Sequence, residues 1–246
     1  MRMQSCLRFP LLFSFLLLFS FLLVPLVSPV CSTTYAAGAA STGPGTGTLV
    51  EASEGTCGTL FLNADASYEN GYAWAYDGVV PPDYGAFAEK YFTPNFVVCS
   101  IVLDLTTVGD NPDTADLYVW EDQNGAPGAV LATMTGYSPG AIAFWPSVSR
   151  HVASIDLHCE SVPVTWIGYW GNWPGRDPAW FVGADLDGFG GFPFANIAPG
   201  IGYPTGWNNV SVVWGPTQAL GIGAEFDVCE TPTRTMTWGA IKGLFE

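Results

Sequence analysis

Alternation of apolar and polar positions dominates the chain between residues 57 and 228. The clearest run is 96–105, where Val97, Cys99, Ile101, Leu103 and Leu105 share one face while Ser100 and Asp104 lie on the other. Successive side chains of a strand point to opposite sides of a sheet, so a two-residue period predicts a strand with one buried face. The same reading predicts strands over 57–63, 87–92, 116–121, 130–135, 152–157, 162–170, 179–185, 210–214 and 220–228. In the last, Ile222, Ala224, Phe226 and Val228 share a face opposite Gly221, Gly223 and Glu225. Turn signals separate the runs: Gly109-Asp110-Asn111-Pro112, Asn124-Gly125, Pro174-Gly175 and Asp187-Gly188. Roughly ten strands without intervening helices predict an all-β fold. Its expected form is a two-sheet antiparallel β-sandwich of jelly-roll or immunoglobulin-like architecture. Glycines within the strands predict bulges and sharp corners.

The N-terminal pattern is of another kind. Arg2 and Arg8 precede a Leu/Phe-rich apolar run from Phe9 to Val27, followed by small residues and Thr34-Tyr35-Ala36. That order of positive, apolar and small segments predicts a secretory signal peptide over 1–36, cleaved after Ala36 or Ala37. Pro10, Pro25 and the Ala/Gly/Ser-rich stretch that follows favour removal over a retained anchor. Residues 37–56 lack apolar alternation and read as a linker. Residues 57–230 carry the β-sandwich domain and 231–246 a C-terminal tail, in which Trp238, Ile241 and Phe245 are spaced for one apolar helical stripe.

Charge narrows the partners. Without residues 1–36, five basic residues stand against 22 acidic ones, a net charge of −17. Such a field repels phosphate backbones, so nucleic acid is excluded as an expected partner, and a membrane is met only through the signal segment or tail. At 15% aromatic and 12% charged, the chain reads as folded and not as an acidic disordered segment. Cys6 and Cys31 fall in the signal segment, which leaves four cysteines for an oxidising compartment. Four cysteines allow three pairings; the expected one joins Cys57 to Cys229 and Cys99 to Cys159. No two of them have the close spacing of a zinc site.

Candidate chemistry is sparse. Gly136-Tyr-Ser138-Pro-Gly140 matches the pattern of a nucleophile elbow, but Pro139 lacks the N–H that the oxyanion hole requires. His151 and His158 fall on opposite faces of one strand and cannot share a metal. Paired carboxylates for glycoside hydrolysis cannot be picked from 22 acids. Asp185-Leu-Asp187-Gly188 is the best metal candidate, since a turn of this type offers two carboxylates and a carbonyl to Ca²⁺, the one cofactor considered. Trp166, Tyr169, Trp170, Trp173 and Trp180 crowd around Asn172-Trp-Pro-Gly-Arg-Asp-Pro178. Aromatic planes stack on sugar C–H faces while Asn, Asp and Arg bond hydroxyls. Trp166 and Trp170, on one strand face with Val164, are expected in the core. Trp173, with Asn172, Arg176, Asp177, Tyr84 and Trp207, forms the expected ligand site.

Several segments resemble known proteins. The runs Glu69-Asn-Gly-Tyr-Ala-Trp74 through Val80-Pro-Pro-Asp-Tyr-Gly-Ala-Phe87, Tyr118-Val-Trp-Glu-Asp-Gln-Asn-Gly-Ala-Pro-Gly128 and Ala184-Asp-Leu-Asp-Gly188 resemble secreted bacterial β-sandwich proteins. The hairpin is also similar to those of adhesin and carbohydrate-binding modules. The tail's Trp238, Ile241, Lys242 and Phe245 resemble a C-terminal sorting segment of exported bacterial proteins, though Glu246 stands where a basic residue is expected. The resemblance implies a secreted domain more than any activity; taken with the aromatic cluster, the expected function is a non-catalytic extracellular or cell-surface module, binding a surface glycan or other extracellular ligand. The alternatives are a self-associating surface or filament subunit and a secreted glycoside hydrolase.

Overall fold

The strand with the strongest alternation lies at the centre of the larger of two sheets. The computed structural model describes residues 38–52, 57–75, 84–109, 113–155, 162–171 and 180–228. The chain divides between Thr33 and Thr34, and every described residue belongs to the second unit. The elements begin with β1 (Gly38–Ser41), β2 (Gly47–Ala52), β3 (Thr59–Leu62), β4 (Ser67–Tyr68), β5 (Asn70–Ala75) and β6 (Phe87–Phe92). They continue with β7 (Phe96–Thr106), β8 (Ala115–Gln123), β9 (Ala126–Tyr137), β10 (Ser147–Ser154) and β11 (Val164–Trp170). Last come β12 (Phe181–Asp185), β13 (Phe194–Ile197), β14 (Gly206–Asn209), α1 (Ser211–Trp214), β15 (Ala219–Leu220) and β16 (Ile222–Val228). No helix among the described residues is long and apolar enough to cross a membrane.

The protein is nearly all β and its two sheets are mostly antiparallel. The ten-stranded sheet runs β1-β5-β12-β7-β10-β2-β4, with β15 on β12 and β16 between β7 and β3. The six-stranded sheet runs β14-β13-β6-β11-β8-β9. One pairing is parallel, β2 with β10. The largest hydrophobic cluster takes Ile101, Leu103 and Leu105 from β7, Ile222 and Phe226 from β16, and Leu117, Val119, Ile167 and Tyr169 from the smaller sheet. Apolar burial of this kind, at about 25 cal/mol per Å², is the main force holding the elements together.

Alternation in β7 switches phase near its start. Against β16 the register shifts so that Glu225 faces Ser100 but Phe226 faces Val98, leaving Cys99 as the extra residue of a bulge. Val98 therefore enters the core in place of Val97, and Cys99 is joined to Cys57. This corrects the expected pairing of Cys57 with Cys229 and of Cys99 with Cys159. Cys159 and Cys229 lie outside the described residues.

Two further expectations are corrected. Residues 38–52, read as part of a linker, supply β1 and β2: β1 pairs with β5 and β2 with β10 and β4. Backbone pairing needs no apolar side chain, and here it exploits the lack of one. A Cβ on Gly45 or Gly47 would stand 2.8 or 2.6 Å from the Trp145 ring. Residues 210–214, read as a strand, instead contain α1. Asn209 Oδ1 accepts the Ser211 backbone N–H (2.9 Å) and hydroxyl (2.5 Å), turning the chain out of β14. Trp214 then stacks on Tyr72 with ring centroids 4.8 Å apart.

The polar face of β7 is buried as well. Tyr68 lies over Gly183, where a Cβ would come 2.6 Å from its ring. Its hydroxyl donates to Asp104 at 2.5 Å. Arg150, directly opposite Asp104 across the β7–β10 pair, closes the group with Nε–Oδ1 and Nη2–Oδ2 bonds of 2.7 Å. A bidentate pair with a third donor gives both oxygens of this buried carboxyl group hydrogen-bond partners.

A candidate ligand-binding face on the six-stranded sheet

Alternation along β6, β8, β11 and β13 sends one set of side chains into the main core and the other to the opposite face. That second set is aromatic. Across three adjacent strands the register places Lys90, Trp166 and Trp120 in one row. The next row reads Phe194, Ala88, Gly168 and Tyr118. The two small residues are dictated in part by backbone approach, since a Cβ on Gly168 would stand 1.9 Å from the Phe87 carbonyl oxygen.

The rings form a connected floor and rim. Trp120 and Trp166 are buried with Ala88, and Tyr118, Phe194 and Trp207 pack around them half-buried. Tyr118 stacks on Trp120 at 5.0 Å, Trp207 meets Trp120 edge-on at 5.4 Å, and Phe194 lies 4.8 Å from Trp166. Such offset and edge-on pairs fix ring orientation as well as burying area. Trp166 Nε1 donates to Asp122 Oδ1 at 2.8 Å, and Asp122 Oδ2 accepts the Gly125 N–H at the Asn124-Gly125 turn. Both turn residues have positive φ, 57° and 85°, which ties the predicted hairpin turn to the tryptophan beneath it.

At one end of the face the aromatic surface is open to solvent. Phe92 is 60% and Phe192 39% exposed, with centroids 5.7 Å apart. The Lys90 ammonium sits 4.1 Å from the Phe192 centroid, 5.2 Å from Trp166 and 5.6 Å from Phe92. Phe192 is held from below by Glu89, which points to the other side of β6. Glu89 Oε2 accepts the Phe192 N–H and Asn63 Nδ2–H at 2.9 Å, and Oε1 accepts the Leu220 N–H at 2.8 Å. Burial pushes the Glu89 carboxyl up to about 7, against the pull of these donors.

The residues expected to bind ligand divide. Trp207 belongs to this face. Tyr84 adjoins it: half-buried, its carbonyl accepts Trp170 Nε1–H at 3.0 Å, and Trp170 closes the outward-facing side of β11. Trp173, Asn172, Arg176 and Asp177 lie outside the described residues, as do Trp238, Ile241, Lys242 and Phe245. Trp166 and Trp170 share a face as expected and are buried, yet they face away from the main core, which takes Ile167 and Tyr169. Lys90, Phe92, Tyr118, Trp120, Phe192 and Phe194 were not predicted as site residues. The available signal was doubled patterning. In Leu117-Tyr118-Val119-Trp120 both strand faces are apolar, which a strand with one solvated face does not require.

Two other clusters have chemistry in reach. Carboxylate oxygens of Glu69, Asp185 and Asp187 lie within 4.8 Å of one another. Asp185 is buried and largely committed. Its Oδ2 accepts the Asp65 N–H, and its Oδ1 those of Asp187 (3.1 Å) and Gly188 (2.6 Å); Glu69 accepts the Leu186 N–H. The turn expectation for this segment is thus met by the carboxylate itself, and the exposed Asp187 has the freest oxygens. The second cluster is Ser149 Oγ, 2.9 Å from His151 Nε2, with His151 Nδ1 3.0 Å from the Pro139 carbonyl oxygen. A carbonyl only accepts, so Nδ1 carries a proton, and the Ser149 hydroxyl lies within reach of both Nε2 and the Leu105 carbonyl. The arrangement resembles a nucleophile–base pair, but Ser149 is 2% and His151 7% exposed, and Ser149 Oγ also accepts the Ala143 N–H. It fastens the loop after β9 onto β10.

Among known proteins, no family model, curated protein or solved structure matches the chain, so a functional reading rests on the chemistry of this face.

Proposed function

We propose that the protein is a secreted, non-catalytic extracellular or cell-surface module with a β-sandwich of jelly-roll or immunoglobulin-like architecture, which binds carbohydrate through the aromatic face of its six-stranded sheet. The observation that carries this reading is a pair of ring clusters, Phe92 with Phe192 and Trp166 with Trp120, Tyr118 and Trp207, bridged by the Lys90 ammonium. Pyranose rings present C–H faces to such surfaces, and Lys90 and Asp122 supply polar groups beside them. Trp173, Asn172, Arg176 and Asp177, expected from the sequence to bind ligand, lie outside the described residues. Secretion follows from the signal-like segment 1–36, and the tail from Trp238 would serve sorting or anchoring. A structural Ca²⁺, if bound, would use Asp187 and Glu69 against Asp185.

A glycan array probed with the mature protein, with and without EDTA, tests the reading. We expect binding to a restricted set of glycans. Phe192→Ala and Tyr118→Ala should each weaken it about tenfold, the scale of one lost stacking partner. Absence of any bound glycan, or variants that bind like the parent, would refute it.

Self-assembly is the second reading, favoured by β9. Among the described residues this edge strand pairs only with β8, and from Ala126 to Tyr137 it carries no charged residue. Long uncharged edges invite strand addition. Concentration-dependent association of the purified protein would support this reading, and a monodisperse monomer at high concentration would count against it.

A further inference from the structure

We infer that the saccharide bound on this face carries a carboxylate on its ring, and that Lys90 receives it. The inference rests on the carbohydrate-binding reading and adds the ligand's charge. Among the described residues the basic side chains are Lys90 and Arg150. Arg150 is committed to the buried Asp104 through two 2.7 Å bonds. Lys90 is not committed in this way. Among the described residues its ammonium has no carboxylate within ion-pair distance and no hydrogen-bond acceptor, and it is held by the rings of Phe192, Trp166 and Phe92 alone.

An ammonium has three N–H donors and accepts nothing. Ring faces attract its charge but leave those donors unused. A chain with 22 acidic residues had ample means to neutralise Lys90. Two acids of the same sheet, Glu89 and Asp122, are engaged elsewhere. Glu89 projects to the opposite side of β6 and takes the N–H groups of Leu220, Phe192 and Asn63. Asp122, behind Trp166, takes Trp166 Nε1–H and the Gly125 N–H. Among the described residues, then, a cation without an anionic partner is set between Phe92 and Phe192 at the exposed end of the aromatic cluster. A pyranose stacked on those rings with an exocyclic carboxylate at Nζ satisfies both features at once. The acidic remainder of the protein opposes this only at a distance, and salt screens it beyond about 8 Å at physiological ionic strength. Contact at Lys90 is not screened in that way.

Calorimetric titration of the mature protein tests the proposal with three probes: an oligogalacturonate, a neutral galacto-oligosaccharide of equal length, and polyglutamate. The oligogalacturonate should bind at least about tenfold tighter than the neutral sugar, the scale of one charge-assisted hydrogen bond, and polyglutamate should not compete. Lys90→Met keeps an apolar stem over the rings and should erase the preference, bringing the affinity for the oligogalacturonate down to that for the neutral sugar. Lys90→Arg keeps the charge and should retain the preference, which guards against a loss that merely reflects misfolding. Equal affinity for acidic and neutral sugars, or an unchanged preference in Lys90→Met, would overturn the inference and leave the carbohydrate reading standing. Competition by polyglutamate would also overturn it, reducing the effect to bulk charge. Binding of neither sugar would overturn the inference, and the glycan array decides the carbohydrate reading separately.

Discussion

Glu89 stands next to Lys90 in the chain and on the opposite side of the sheet, and the exposed aromatic end depends on it. Its two oxygens gather Asn63, Phe192 and Leu220 from three distant segments, so it positions Phe192 without touching the solvent side of the face. Burial raises its proton affinity, from an ordinary 4.5 to about 7. In that window the folded protein holds a proton that the unfolded chain has released. The contribution of Glu89 to stability is therefore full below about pH 4.5 and declines as pH rises through about 7. The whole decline amounts to about 3 kcal/mol at most. Glu89→Gln removes this titration, and urea denaturation from pH 4.5 to 8 should show the parent losing stability relative to the variant as pH rises. A difference that is flat or of opposite slope would contradict this assignment. Little of this is legible in Phe-Ala-Glu-Lys-Tyr-Phe, residues 87–92, because a strand pattern assigns each side chain to a face but does not reveal which distant donors will meet it.

At the scale of elements, legibility followed side-chain contrast. The strands β6, β7, β8, β11 and β16 were readable because their inward residues are large and apolar. Strands β1 and β2 were not, since Gly38, Ala39, Ala40, Gly45 and Gly47 contribute backbone and close approach instead of apolar side chains. On β11 Trp166 and Trp170 are buried as expected, with Trp166 in a second cluster, while the intervening Ile167 and Tyr169 enter the main core. Bulges are equally silent in a two-residue period, and the one at Cys99 reverses which neighbour its sulfur meets. Peptide mapping of the unreduced protein should consequently recover Cys57 linked to Cys99, closing a separation of 42 residues. On chain-entropy grounds that bridge contributes about 4 kcal/mol, so its reduction should lower stability measurably. A fragment linking Cys57 to Cys229, or Cys99 to Cys159, would contradict this register.

The whole molecule separates its tasks between two sheets. The larger sheet is covered on both sides, by the shared core and by the Tyr68–Asp104–Arg150 group with its neighbouring glycines. The smaller sheet contributes one side to the core, and on the other Trp120 and Trp166 are buried in a second cluster with Phe92 and Phe192 exposed at its edge. A net charge of −15 over 246 residues keeps such a surface soluble, while the cation within it gives the face a local sign of its own. Covalent footprinting by hydroxyl radicals, with and without a glycan selected on the array, addresses the central claim most directly. We predict that the ligand protects Phe92, Phe192, Tyr118 and Trp207 and leaves the exposed Phe144 and Val50, outside the six-stranded sheet, unchanged. Protection confined to residues away from the six-stranded sheet, with those four rings as reactive as before, would contradict it.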